Sequence, residues 1–270
     1  IEIISAERVR DELVKLLMGK RPRLGVESLV DSGLAAIVLP EVPALKLEID
    51  EHHHHKDVYQ HSLKVLEQAI DYGRDYGMEN DFVLRFAALM HDVGKPKTRR
   101  MEGGVVTFFQ HDKVGANITR DRMRALHFDN DTIKAVRLLI SEHLRFFGYG
   151  QNDSWTDSAV RRYVRDAGDQ LDRLHALTRA DVTTRNQKKA DRLAHAYDDL
   201  EARIKVIAEQ EELNAIRPDL DGEQIMAILG LKPSREVGEA YNWLLELRLE
   251  EGPLGEEVAK QRLLAWWASR

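Results

Sequence analysis

His91 and Asp92 stand side by side at the end of an apolar run, in Ala87-Ala88-Leu89-Met90-His91-Asp92-Val93-Gly94-Lys95. Both are metal-ligand types, and a helix core has no use for them there. A centre that handles phosphate esters does. Hydrolysis of such an ester requires that charge on the phosphoryl oxygens be neutralised and that water be ionised near neutral pH, and a divalent metal serves both needs. Further ligand types lie where such a centre would draw on them: His61 upstream, and His111, His143 and Asp181 downstream. The expected metal set is therefore His61, His91, Asp92 and Asp181, with His111 and His143 completing a second metal site or stabilising a leaving group. The chain has no cysteine, so the ligands must be imidazole and carboxylate. That donor set suits Ni, Co, Mn, Fe or Zn and disfavours Mg.

Adjacent residues on a helix point about 100° apart. His91 and Asp92 can thus share one ion only at a helix end, where Gly94 lets the chain turn. Otherwise Asp92 bridges two ions in a dinuclear centre. Asp92 is the candidate for positioning or deprotonating the attacking water, with Lys95 beside it as a second catalytic candidate. Lys95, Arg99 and Arg100 follow the pair and are placed to hold phosphate. Arg145, Arg179 and Arg185 are further candidates for phosphate or RNA. Arg179, two residues before Asp181, is expected to face the other side of its helix turn. His127, His175 and His195 read as ordinary polar residues. His52 to His55 read as an exposed segment leading into a helix, open to adventitious metal binding.

The elements that must position these residues are helical in period. Ser5 can cap a first helix carrying Val9, Leu13, Leu16 and Leu17, and a second covers Leu24 to Val30. Leu39-Pro40-Glu41-Val42-Pro43 reads as an extended connector, because each Pro pushes its predecessor out of the helical region. Asp57 caps a long helix with His61 in its first turns. Asp81 starts the next, which carries His91 and is stopped by Gly94 and Pro96. Gly103-Gly104 followed by Val105-Val106-Thr107-Phe108-Phe109 predicts a small hairpin. Helices resume at His111 to Leu126 and Asp131 to His143. Gly148 to Asp153 reads as a loop. Helices then follow at 155–167, 169–184 and 187–212, and Pro218 to Gly222 marks a break before a short helical tail. Tyr241, Trp243, Trp266 and Trp267 read as packing residues. The fold class is all-α: a helical bundle followed by a smaller C-terminal helical subdomain. The expected division is 1–50 as a neck, 51–215 as the metal-bearing domain and 216–270 as the tail.

The whole chain bounds the rest. Its 270 residues are 43% hydrophobic and 32% charged, with a net charge of -6. That is enough to bury a core, and the sign argues against a dedicated nucleic-acid binder. Charge distribution matters more. Residues 161–192 carry nine basic side chains against five acids, whereas the tail is acidic from Glu236 to Glu257. No run of ~18 apolar residues exists, so no membrane span is expected. The absence of cysteine fits the cytoplasm. The sequence begins at Ile1 rather than Met, which suggests a piece of a longer protein.

The order His61, His91-Asp92, Asp181 resembles the HD superfamily of metal-dependent phosphohydrolases. Lys56 to Leu63, Thr107 to Asp112 and Arg179 to Thr184 sharpen this. They are similar to the HD-containing body of bacterial CCA-adding tRNA nucleotidyltransferases and the related poly(A) polymerase family. The resemblance extends to Ile4 to Leu13, similar to the segment after that family's catalytic head, and to Asp221 to Pro233, similar to its C-terminal helical part. The head's Gly-Ser motif and paired Asp residues have no match in this sequence. The resemblance therefore implies hydrolysis of phosphomonoesters or 2′,3′-cyclic phosphates at RNA 3′ ends or on nucleotides. It also implies contact with tRNA, and nucleotide addition only with a covalently joined N-terminal head. A non-catalytic tRNA-binding body and a hydrolase of signalling nucleotides or deoxynucleotides are the competing readings.

Overall fold

The computed structural model describes residues 4–46, 57–149, 155–184, 186–211 and 217–270. Arg185, the histidine run 52–55 and most of the expected 148–153 loop lie outside the described residues. The described chain is all-α apart from one two-stranded hairpin. It divides into two compact units, residues 1–148 with 169–197, and residues 149–168 with 198–270.

The first unit is organised around α5 (Phe82–Met90), whose residues from Leu84 to Met90 are all buried. A helix that apolar on every side can only sit at the centre of a bundle. Around it pack α1 (Ala6–Met18), α4 (Val58–Asp75), α8 (Asn130–Glu142) and α10 (Leu171–Ala180). Outside these, α2 (Pro22–Asp31) packs on α1 and α4, and α7 (His111–Ala125) packs on α8. The starts are set by local chemistry. Ser5 accepts a hydrogen bond from the Arg8 amide, Asp57 from Tyr59 and Gln60, Asp81 from Leu84, and Asp129 from Asp131 and Thr132. Each satisfies amides that the helix leaves unpaired.

After α5 the chain makes a tight turn through Gly94 into the single-turn α6 (Lys95–Thr98). The hairpin β1 (Arg99–Glu102) and β2 (Val105–Phe108) follows, with Arg99 opposite Phe108 and Glu102 opposite Val105. Gly103 and Gly104 join the strands at φ of 59° and 79°, the left-handed pair that a two-residue turn of this hand requires. Gln110 adopts φ 57° and swings the chain from β2 into α7.

Two sequence expectations are corrected. The connector at Leu39 to Pro43 is not extended: it follows the short α3 (Ala35–Val38) and closes into a 3-10 turn at Pro43–Leu45. Leu39, Val42 and Leu45 are each no more than 2% exposed, and burying all three outweighs the bias that Pro43 places on Val42. Pro96 does not end helical structure, because it lies in the first turn of α6, where a missing N–H costs nothing. The basic stretch at 161–192 is partly neutralised by ion pairs. Arg161 is paired with Glu211 at 2.7 Å, Arg162 with Glu250 at 2.9 Å and Arg173 with Asp81 at 2.7 Å.

The second unit contains α9 (Asp157–Ala167), the end of α11 (Gln187–Glu211), α12 (Gly222–Leu229), α13 (Arg235–Glu251) and α14 (Glu256–Ala268). Leu220, Ile225, Ala240, Leu244, Ala259 and Leu263 form the core of its C-terminal part. Trp243 and Trp266 stack there with centroids 4.9 Å apart. The observed units cut the chain differently from the expected breaks at 50 and 215. The N-terminal helices pack on the bundle through Leu13, Leu17 and Val26, and α9 packs on α13.

Candidate metal centre

The six expected ligand residues converge, and helix ends bring most of them there. His91 is the C-terminal cap of α5, His143 of α8 and Asp181 of α10. His111 is the first residue of α7, and His61 lies in the first turn of α4. A side chain at a helix end can leave the helix direction, which is how the adjacent His91 and Asp92 both reach one place.

They form two groups within ligand distance, His61 with His91 and Asp181, and Asp92 with His111 and His143. In the first, His61 Nε2 lies 2.9 Å from Asp181 Oδ1 and 3.2 Å from His91 Nε2. Asp92 spans both groups. Its Oδ2 lies 3.3 Å from His91 Nε2 and 3.5 Å from His61 Nε2. Its Oδ1 lies 3.2 Å from His111 Nε2. Asp92 thus faces both groups. Lys95 Nζ sits 2.6 Å from Asp92 Oδ2 and 5.6 Å from the centroid of the Phe108 ring.

The ring orientations are set from behind. His91 Nδ1 lies 2.8 Å from the Ala88 carbonyl, His111 Nδ1 2.9 Å from that of Phe108, and His143 Nδ1 2.7 Å from that of Ile140. A carbonyl only accepts, so each Nδ1 carries a proton and each Nε2 is the nitrogen turned to the centre; on His91 that Nε2 also carries a proton toward Asp92 and Asp181, which it gives up to bind a cation. His111 Nε2 and His143 Nε2 are buried without a hydrogen-bond partner among the described residues. Leaving such atoms unpaired in a buried site is costly, and a bound cation would remove the cost. The donor set of imidazole and carboxylate fits a divalent transition ion on these grounds.

The electrostatics have the same origin. Burial pushes His91 down, but the Asp92 charge and hydrogen bonds to Asp181 and Asp92 overcome it and raise the ring to about 10. Burial would raise Asp92, yet the charges of His91 and Lys95 hold it well below the usual carboxylate range. Asp181 is likewise pushed up by burial and held far down by its hydrogen bonds with His61 and His91. His143 is lowered to about 4 by burial and by the His91 charge. Two anionic carboxylates among packed imidazoles are a cation-binding arrangement.

Residues 58–186 match the family model of the HD domain. Residues 58–186 are an HD domain. Residues 1–45 match a second family, described as the probable RNA and SrmB-binding site of polymerase A. The chain is 32% identical over 266 residues to the A-adding tRNA nucleotidyltransferase of Deinococcus radiodurans, covering 97% of this chain and 58% of that protein. It is 32% identical over 270 residues to the CC-adding tRNA nucleotidyltransferase of Thermus thermophilus, covering 98% of this chain and 58% of that one. The multifunctional CCA protein of Neisseria meningitidis is 33% identical over 162 residues, or 57% of this chain and 36% of its own. The chain thus spans little more than half the length of these first two relatives.

The remaining expected residues of the HD domain lie around the centre rather than in it. Arg99 and Arg100 are exposed on β1. Arg145 Nη1 is 3.3 Å from Glu142 Oε2, one residue before His143. Arg179 places its guanidinium over the Tyr197 ring at 5.1 Å, so it packs against α11. Lys113, unremarked in the sequence, bonds the Ser141 carbonyl at 2.7 Å and Glu142 at 3.0 Å, tying the start of α7 to the end of α8. Its only sequence signal is its place two residues after His111. No described helix is long and apolar enough to cross a membrane.

Proposed function

We propose that this HD domain is a metal-dependent phosphohydrolase acting on phosphomonoesters or 2′,3′-cyclic phosphodiesters at RNA 3′ ends or on nucleotides. The observation that carries this reading is Asp92, with one oxygen toward each of the two ligand groups. His61, His91 and Asp181 would hold one ion, His111 and His143 a second, and Asp92 would bridge them. A divalent transition ion supplies Lewis acidity toward the phosphoryl oxygens and ionises water near neutral pH. Lys95, which bonds Asp92, would hold the substrate phosphate as the ester arrives. Arg99 and Arg100 on the neighbouring hairpin would receive the rest of its charge. Asp92 would also orient the attacking water. The purified chain is tested with a chromogenic phosphodiester, a phosphomonoester and 2′,3′-cyclic nucleotides, with Ni, Co, Mn, Fe or Zn added. Turnover that requires the metal and is lost in Asp92→Ala supports the reading. Full activity after that substitution overturns it.

A second reading is favoured by the match at residues 1–45 to an RNA-binding family and by the tRNA enzymes among the relatives. In it the chain also grips tRNA and serves as the body of a protein whose N-terminal head adds nucleotides. Salt-sensitive tRNA binding by this chain supports it, and no binding at low salt counts against it.

A further inference from the structure

The histidines of the centre are anchored in two ways. His91, His111 and His143 lean on backbone carbonyls three residues earlier. No side-chain substitution removes those acceptors. His61 is different: its Nδ1 lies 3.0 Å from Thr183 Oγ1. Asp181 Oδ1 lies 2.9 Å from Nε2 of the same ring. The three-residue stretch from Asp181 to Thr183 thus grips both nitrogens of His61, a residue on α4 far away in sequence.

We infer that Thr183 is a positioning residue for His61. Its hydroxyl accepts the Nδ1 proton and leaves the Nε2 lone pair for a divalent cation beside His91 and Asp181. This rests on the metal reading above. A hydroxyl both donates and accepts, so Thr183 suits the ring whichever nitrogen carries the proton. The carbonyls behind the other three rings suit one tautomer only. Outer partners of this kind orient the ligand and raise its basicity, and their loss typically costs about 10–100-fold in metal affinity. Without Thr183 the His61 ring would be held by Asp181 alone, and its Nδ1–H would lose its acceptor. His61 is the one histidine of the set whose Nδ1 leans on a side chain rather than on a backbone carbonyl.

The test uses the whole chain, stripped of metal, with zinc binding measured by titration calorimetry. Thr183→Val keeps the shape and removes the hydroxyl, whereas Thr183→Ser keeps the hydroxyl. Zinc affinity is expected to fall about 10–100-fold in the Val variant and to stay within about threefold of the parent in the Ser variant. Long-range proton–nitrogen spectra of the zinc-loaded parent and Ser variant are expected to place the His61 proton on Nδ1. Should the Val variant not fold, Thr183→Ala takes its place beside Ser. Undiminished affinity in the variant lacking the hydroxyl overturns the role of Thr183 while leaving the metal reading intact. So does a Ser variant as weak as Val, or a His61 proton found on Nε2 with zinc bound. A parent chain that binds no divalent ion overturns the metal reading itself.

Discussion

Asp92 holds the two ligand groups together, because its oxygens lie 3.3 Å from His91 Nε2 and 3.2 Å from His111 Nε2. Replacing it by Asn keeps the volume but removes the charge. Metal affinity, read by calorimetry, is expected to fall at least about 100-fold, the upper end of what outer partners alone contribute. The protonation of the centre gives a second expectation. His91 is raised from 6.5 to about 10, so the folded protein holds a proton that the unfolded chain releases. That contribution to stability is complete below pH 6.5 and is lost as pH rises toward 10. His143, lowered to about 4, acts at the other end. Its folded ring stays neutral while the unfolded ring takes a proton, so stability falls as pH drops from 6.5 toward 4. The depressed Asp92 and Asp181 stabilise above the ordinary carboxylate range and lose that contribution as pH falls below it. Metal-free protein should therefore melt highest near pH 6.5. A bound cation needs His91 neutral and so removes the alkaline decline. Melting curves with EDTA and with cobalt from about pH 5 to pH 9 read this directly, and a flat alkaline limb with EDTA would sink it. The six residues that converge were legible in the sequence as metal-ligand types, because that chemistry is intrinsic to the residue. Their anchors were not. The carbonyls of Ala88, Phe108 and Ile140 carry no residue-type signal, and Thr183 looks like any other threonine until the fold sets it against His61.

At the scale of elements, the centre depends on α6 and α7 touching without side chains between them. A Cβ on Gly94 would lie 2.0 Å from the His111 carbonyl oxygen and 2.7 Å from the Gly115 amide nitrogen, both of them backbone atoms. Gly94 is needed for close approach rather than for its backbone angles, which are helical. Gly94→Ala must push α7 away from the α5–α6 turn and carry His111 with it. Overpacking of this kind costs about 1–3 kcal/mol. The expected outcome is a lower urea midpoint with an unchanged slope, together with weakened metal binding. An unshifted midpoint would mean that the helices yield freely. Element starts were largely readable, because Ser5, Asp57 and Asp81 cap by local hydrogen bonds. The hairpin was readable for a similar reason, its Gly103-Gly104 pair. The Leu39 to Pro43 connector was not, because its path is decided by burial of Leu39, Val42 and Leu45 in a core that no local window reveals.

At the scale of the molecule, the basic stretch and the acidic tail turn out to answer one another within the second unit. Arg162 reaches Glu246 and Glu250 at 3.2 Å and 2.9 Å, and Arg165 reaches Glu246 at 3.3 Å. Arg161 is buried, bonds the Leu249 carbonyl at 3.1 Å and pairs with Glu211. Removing one partner of such a buried pair leaves an uncompensated charge, so Arg161→Ala should cost about 3–5 kcal/mol in a denaturant titration. These arginines are committed to holding α9 on α13 and are poor candidates for gripping RNA. Lys188, Lys189 and Arg192 are exposed on α11, with no ion pair among the described residues. Among the described residues they are the part of the stretch left to meet phosphate. The two sets are separable by salt. Each phosphate neutralised by the protein contributes about 0.7–0.9 to the slope of log affinity against log salt. Neutralising Lys188, Lys189 and Arg192 together should flatten the slope for tRNA binding by that amount for every phosphate they had met, leaving the melting temperature unchanged. Neutralising Arg162 and Arg165 should lower the melting temperature and leave the slope as it was. The opposite pattern, with the slope moved by the paired arginines, would show that the α9–α13 ion pairs open when tRNA binds.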